Sequence, residues 1–210
     1  MSKETEADFF RHGIQDLPAQ YLKEWFSAAY ATGGVEKDIW TYLLPRVLEV
    51  LALGKEPDCC GIEISLNRFK TGNPDNWNKA QWSVLDQFQR QFLRSGFETE
   101  CVWQEHSLDD ILCMFALGGW SLDDLLNQVN EISDEALARR LFRDWCQDFG
   151  GYGTIWATSF WPKADEKKVM GFYTSDALRL RMERLALSDD CEKDVAQMAS
   201  DLVTVIEDAG

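Results

Sequence analysis

Apolar residues recur at helical spacing along most of the chain, in runs a few turns long that glycines or Ser–Asp phrases interrupt. After Pro18, which suits a first helical turn, Tyr21, Leu22, Trp25, Phe26 and Ala29 share one face as far as Gly33-Gly34. The next run carries Ile39, Tyr42, Leu43, Val47, Val50 and Leu51 and closes at Gly54. Pro45 lies within it and removes a backbone donor, so this segment is expected either to kink or to split, with Pro45 opening the second half. From Lys55 to Asn76 the pattern is weaker. Ile62-Glu63-Ile64 alternates like a strand, whereas Ile62, Leu66 and Phe69 fit a helix, and the helical neighbours favour a helix there. Gly72-Asn73-Pro74-Asp75 reads as a turn, and Trp77, Trp82, Leu85, Phe88, Phe92 and Leu93 mark a long amphipathic helix ending at Gly96.

The phrase Ser-Leu-Asp-Asp then occurs twice, at Ser107 to Asp110 and at Ser121 to Asp124. Each time an apolar helical run comes next. A serine there accepts a hydrogen bond from an otherwise unpaired N–H, and acids in the first turn sit well against the positive helix end. The first run holds Leu108, Ile111, Leu112, Phe115 and Ala116 and stops at Gly118-Gly119; the second holds Leu122, Leu125, Leu126 and Val129. Ser133-Asp134-Glu135 starts a third helix with Leu137, Leu141, Phe142 and Trp145.

Beyond Asp148 three glycines mingle with Tyr152, Trp156, Phe160 and Trp161, which suits either a loop laid on the core or a short helix. Lys163 to Lys168 reads as a solvated connection. Ser175 is expected to cap a helix through Leu185, and Ser188-Asp189-Asp190 to start a last one with Val195, Met198, Leu202, Val205 and Ile206.

These elements predict an all-α protein: a loose arm over residues 1–16, then one irregular multi-helix domain over 17–210, built of stacked antiparallel helix pairs, with a HEAT-like arrangement among the forms open to it. The two Ser-Leu-Asp-Asp copies lie too close together for the usual helical-repeat periods of roughly 33 to 47 residues. No apolar run approaches the length of a membrane span, and the N-terminus lacks the basic, then apolar, pattern of a secretory leader, so a cytoplasmic protein without membrane partners is expected. Six dispersed cysteines, with no C-x-x-C pair, read as small buried hydrophobes.

Charge adds a sharper feature. The formal net charge is −15. Between Glu98 and Asp148 twelve acids face Arg139, Arg140 and Arg143, leaving −9, and from Asp189 to Asp208 seven acids face Lys193, leaving −6, so these two stretches carry all of it. Such a field argues against nucleic acid and anionic membrane and admits a basic protein partner.

Candidate chemistry is sparse. The chain has two histidines, His12 and His106, and no nucleophile motif accompanies either. Cys101, His106, Cys113 and Cys146 match no standard zinc spacing, and Gly151-x-Gly153 comes after no strand, so no cofactor or metal is assigned. The pairs Asp109-Asp110 and Asp123-Asp124 would build a metal-carboxylate enzyme only if both helix starts converged, and neighbouring helical residues point about 100° apart. The favoured expectation is a non-enzymatic acidic binding module, of immunity or inhibitor type, for a basic protein. Asp109, Asp110, Asp123 and Asp124 would steer the partner, and Trp103, Trp120 or Trp156 would anchor it. A structural or self-associating subunit is the other alternative; the sequence does not specify an oligomeric state.

Overall fold

The computed structural model describes residues 11, 13–28, 35–98, 105–147 and 153–210. The fold is all-α: the described residues form α1 (Ala19–Ala28), α2 (Lys37–Ala52), α3 (Lys79–Ser95), α4 (Leu108–Leu117), α5 (Leu122–Asn130), α6 (Asp134–Phe142), α7 (Lys163–Tyr173), α8 (Asp176–Ala186) and α9 (Lys193–Ala209), with short 3-10 turns between some of them. None of these helices is long and apolar enough to cross a membrane. Contacts gather into two compact units, one of described residues up to Phe92 with Met114–Trp120, the other of Leu93–Cys113 with Ser121–Gly210.

In the first unit Pro45 neither splits nor ends α2, which runs unbroken to Ala52. Pro45 is exposed, so the carbonyl it leaves without a donor lies on the side where water can serve instead. The helix expected after Lys55 is reduced to one 3-10 turn at Ile62–Ile64 followed by turns through Gly72. Trp40 is fully buried and donates its indole N–H to Thr71 Oγ1 at 2.8 Å, fixing those turns to α2. Close backbone packing holds the other end: Gly72 N–H donates to Gly118 O at 2.9 Å, and a Cβ on Gly72 would lie 2.3 Å from the Trp120 nitrogen. An aromatic chain passes from Phe92 to Phe115 to Trp120 to Trp82, with centroids 5.2 to 6.4 Å apart.

In the second unit α9 packs against α8 and α6. Its stripe Val195, Ala199, Leu202, Val205 and Ile206 is buried, as are Leu137, Ala138 and Leu141 of α6 and Leu178, Met182 and Leu185 of α8. Ser121, Ser133 and Ser175 accept N–H groups three residues on, as their positions before apolar runs predict. Ser188 does not: α9 begins only at Lys193, after a turn through Asp189-Asp190, and Glu192 occupies its cap position. The aromatic stretch takes the first of its two expected forms, and the segment after it departs from expectation. Residues 153–161 form a loop whose Ile155, Thr158 and Trp161 are buried, and Lys163 to Lys168 are not a connection but the first turns of α7, which seats Val169 and Tyr173 in the core. The spacing of Val169 and Tyr173, i and i+4, is the helical signal there.

Candidate functional site

The two Ser-Leu-Asp-Asp copies are the same four residues put to different uses. At the first, Ser107 Oγ accepts the Asp110 N–H at 3.1 Å while Asp110 Oδ2 accepts the Ser107 N–H at 2.8 Å, a reciprocal cap inside the protein. Asp109 and Asp110 are both buried, 4% and 7% exposed. At the second, Ser121 accepts the Asp124 N–H at 3.4 Å, Asp123 and Asp124 are exposed, and Asp123 pairs with Lys168 at 2.5 Å. The cause lies in the helix that each copy starts. From Ile111 to Phe115 every residue of α4 is buried, so its first turn is drawn inside, whereas α5 carries its apolar residues on one face and leaves its aspartates in water.

Asp109 ties three segments of the second unit together. Its Oδ2 accepts the Thr158 N–H at 2.7 Å and the Trp161 indole N–H at 2.9 Å, and its Oδ1 accepts the Tyr173 hydroxyl at 3.4 Å. Burial raises its carboxyl to about 7, against the pull of the Thr158 and Trp161 donors, with the neighbouring Asp110 carboxylate adding to the rise and the Tyr173 hydroxyl opposing it. Tyr173 stays protonated because burial, then the carboxylates of Asp109 and Asp144, push its hydroxyl well above the ordinary value. The arrangement can take up a proton near neutral pH while anchoring the 153–161 loop to the start of α4.

A second buried carboxylate completes the same helix start. Asp144 sits in a π-helical turn, Arg143–Gln147, that continues α6. Its Oδ2 accepts the Leu108 N–H at 2.7 Å and Arg140 Nε at 2.9 Å, and Arg143 donates to Oδ1 at 3.1 Å. Arg140, 3% exposed, spends its other donors on the carbonyls of Gly96 at 2.6 Å and His106 at 2.5 Å. The ion pair is therefore buried and hydrogen-bonded on both sides, the condition under which a buried charge is tolerated.

Of the residues expected to meet a partner, Asp109, Asp110 and Trp120 are placed inside the protein. The aspartates go inside because α4 is apolar all round; Trp120, 8% exposed, does so because Phe115 and Trp82 pack on its ring. Trp156 is half-buried in the 153–161 loop, and Trp103 lies outside the described residues. Asp123 and Asp124 remain at the surface, so the two aspartate pairs do not converge. Sequence reasoning passed over Arg140 and Asp144. A signal was present: they are i and i+4 charges of opposite sign set among Leu137, Leu141 and Trp145 on the apolar side.

The acidic surface is carried elsewhere. Asp189, Asp190, Glu192 and Asp194 are exposed at the turn before α9, and Glu192 pairs with Arg139 of α6 at 2.6 Å. The Cys191 thiol is raised by desolvation and then by the carboxylates of Glu135 and Glu192; Glu135 stands one helical turn before Arg139 on α6, the residue that pairs with Glu192. Cys113 is buried as expected, whereas Cys146 and Cys191 are half-buried and Cys59 and Cys60 are exposed; Cys101 lies outside the described residues. The chain matches no protein-family model, no curated protein and no solved structure.

Proposed function

We propose that this chain is a non-enzymatic, acidic helical module that binds a basic protein, in the manner of an immunity protein or inhibitor, through the turn before α9 and the adjoining start of α6. The observation that carries the reading is the exposure of Asp189, Asp190, Glu192 and Asp194 at one turn, tied by the Arg139–Glu192 pair to α6, at whose start Glu135 is exposed too. Like charges so placed repel one another and are relieved by a positive partner, which they also steer into encounter. Buried Asp109, Asp110 and Asp144 add to the formal charge but not to this surface.

The test is co-purification at low salt, followed by association kinetics with the basic protein recovered. The association rate should fall steeply between roughly 0.05 and 0.5 M salt, since the screening length shrinks from about 14 Å to about 4 Å over that range. The triple variant Glu135→Lys, Asp189→Lys, Asp190→Lys leaves the Arg139–Glu192 pair in place and should bind about tenfold more slowly or worse at low salt. A partner whose association ignores both salt and the triple variant would refute this docking surface.

A further inference from the structure

Among the described cysteines, Cys59 and Cys60 stand apart in being exposed neighbours with their sulfurs 3.7 Å apart. The turn that presents them is built by Asp58. Its side chain is buried, the residue being 1% exposed, and its Oδ1 accepts the N–H of Cys59 at 2.6 Å and of Cys60 at 3.0 Å. Both cysteines are thereby tied to one carboxylate. The other oxygen, Oδ2, is buried and takes no hydrogen bond, with Arg68 Nη2 standing 3.6 Å away. Arg68 is itself held, donating to Phe26 O at 3.1 Å and lying 5.7 Å over the Phe26 ring. Ser27 Oγ, which gives its proton to Lys23 O at 2.8 Å, lies 3.5 Å from Cys59 Sγ.

One carboxylate oxygen of Asp58 and the two sulfurs all lie within 4.8 Å of one another. Among the described residues this is the group of potential ligands close enough to share an ion. Two thiolates bound to one tetrahedral ion at ~2.3 Å are necessarily ~3.8 Å apart. The observed sulfur spacing is already that bite, and the carboxylate has to approach by no more than about an ångström to meet the usual Zn–O length of ~2.1 Å. A divalent ion with two thiolates and one carboxylate keeps one excess negative charge, and Arg68 is positioned to balance it from outside the ligand set.

We propose that Asp58, Cys59 and Cys60 bind a borderline-soft divalent cation, zinc or cadmium, through two thiolates and one carboxylate, with the fourth position left to water. Thiolate ligands select such ions over magnesium and calcium, which prefer all-oxygen shells. Binding would release the thiol protons.

The test titrates cadmium chloride into the full chain, kept reduced with a phosphine, and follows thiolate-to-cadmium absorption in the ultraviolet, with zinc then competing for the same site. One equivalent should saturate the band. Cys59→Ser and Cys60→Ser should each abolish tight binding, Asp58→Asn should weaken it by about tenfold or more, and Cys191→Ser should leave it unchanged. The Asp58→Asn variant keeps an oxygen acceptor for the two N–H groups, so the turn survives while the charge is lost; circular dichroism confirms that each variant is folded. No band in the native chain, a band that persists in the Cys59→Ser/Cys60→Ser double variant, or full affinity in folded Asp58→Asn would each overturn the proposal.

Discussion

Leu108 donates its backbone N–H to Asp144 at 2.7 Å, across thirty-six positions of sequence. A helix start that Ser107 and Asp110 already cap locally is thus capped again by a side chain from the π-helical turn beyond α6, and Arg140 neutralises that side chain. Removing Asp144 strands Arg140 as a buried, uncompensated cation. Asp144→Ala is expected to cost about 3 to 5 kcal/mol in urea unfolding, whereas the apolar pair Arg140→Met/Asp144→Leu should cost clearly less than the sum of the two single changes. Additive losses in that cycle would mean the pair is not coupled.

Asp109 makes stability depend on pH. Its folded value, about 7, lies above the ordinary 3.8, so the folded state holds a proton that the unfolded chain gives up. The contribution is therefore full below about pH 4 and is lost as pH rises through 7, up to about 4 kcal/mol over that interval. In Asp109→Asn this component should vanish, leaving unfolding free energy flatter between pH 4 and 8 than in the native chain. Equal slopes for the two proteins would show that Asp109 is ionised throughout.

The two serines of the repeated phrase should not weigh equally. Ser107 works in a buried reciprocal cap and Ser121 in an exposed, longer one. Ser107→Ala is expected to cost about 2 kcal/mol and Ser121→Ala less than about 1 kcal/mol, measured by chemical denaturation of each variant.

Two glycines give opposite expectations. At Gly72 a methyl group would meet the Trp120 nitrogen at 2.3 Å and the Gly119 carbonyl carbon at 2.6 Å, both backbone atoms that have no rotamer to yield. Gly72→Ala should therefore destabilise by about 2 kcal/mol or more. Gly171, inside α7, has nothing within 4 Å of that point, and Gly171→Ala should stabilise by about 0.5 to 1 kcal/mol. Thermal unfolding of both variants decides.

Helix content was legible wherever an apolar stripe and a serine cap coincided, as at Ser121, Ser133 and Ser175, because both signals act within a few residues. Where only one was present the outcome turned on packing. Ser188 offers the same Ser-Asp phrase, but the apolar stripe it would serve begins at Val195, and the chain makes a turn before the helix takes up that stripe. The stretch from Ile62 to Phe69 has helical spacing, yet Thr71 is claimed by Trp40 and Gly72 by Gly118, and those distant partners hold the segment in turns. The thiol pair leaves no periodic signal in the sequence because Asp58 organises it through its own neighbours' amides, a local device.

By itself the sequence determined the all-α class, most helix starts and the localisation of charge, since these come from spacing, capping and composition. It did not determine the partners of the acids. Asp109 and Asp123 share the Ser-Leu-Asp-Asp phrase; the run after it, apolar throughout in α4 and one-sided in α5, marks one helix for burial but does not say which groups meet its carboxylates. Only the tertiary structure decided the partners, burying α4 from Leu108 to Phe115 and α5 on one face, so that one copy became a buried junction for Thr158, Trp161, Tyr173 and Asp144 while the other stayed on the surface. The physical reason is that a carboxylate's surroundings are set by the helices packed over it, and those come from distant parts of the chain.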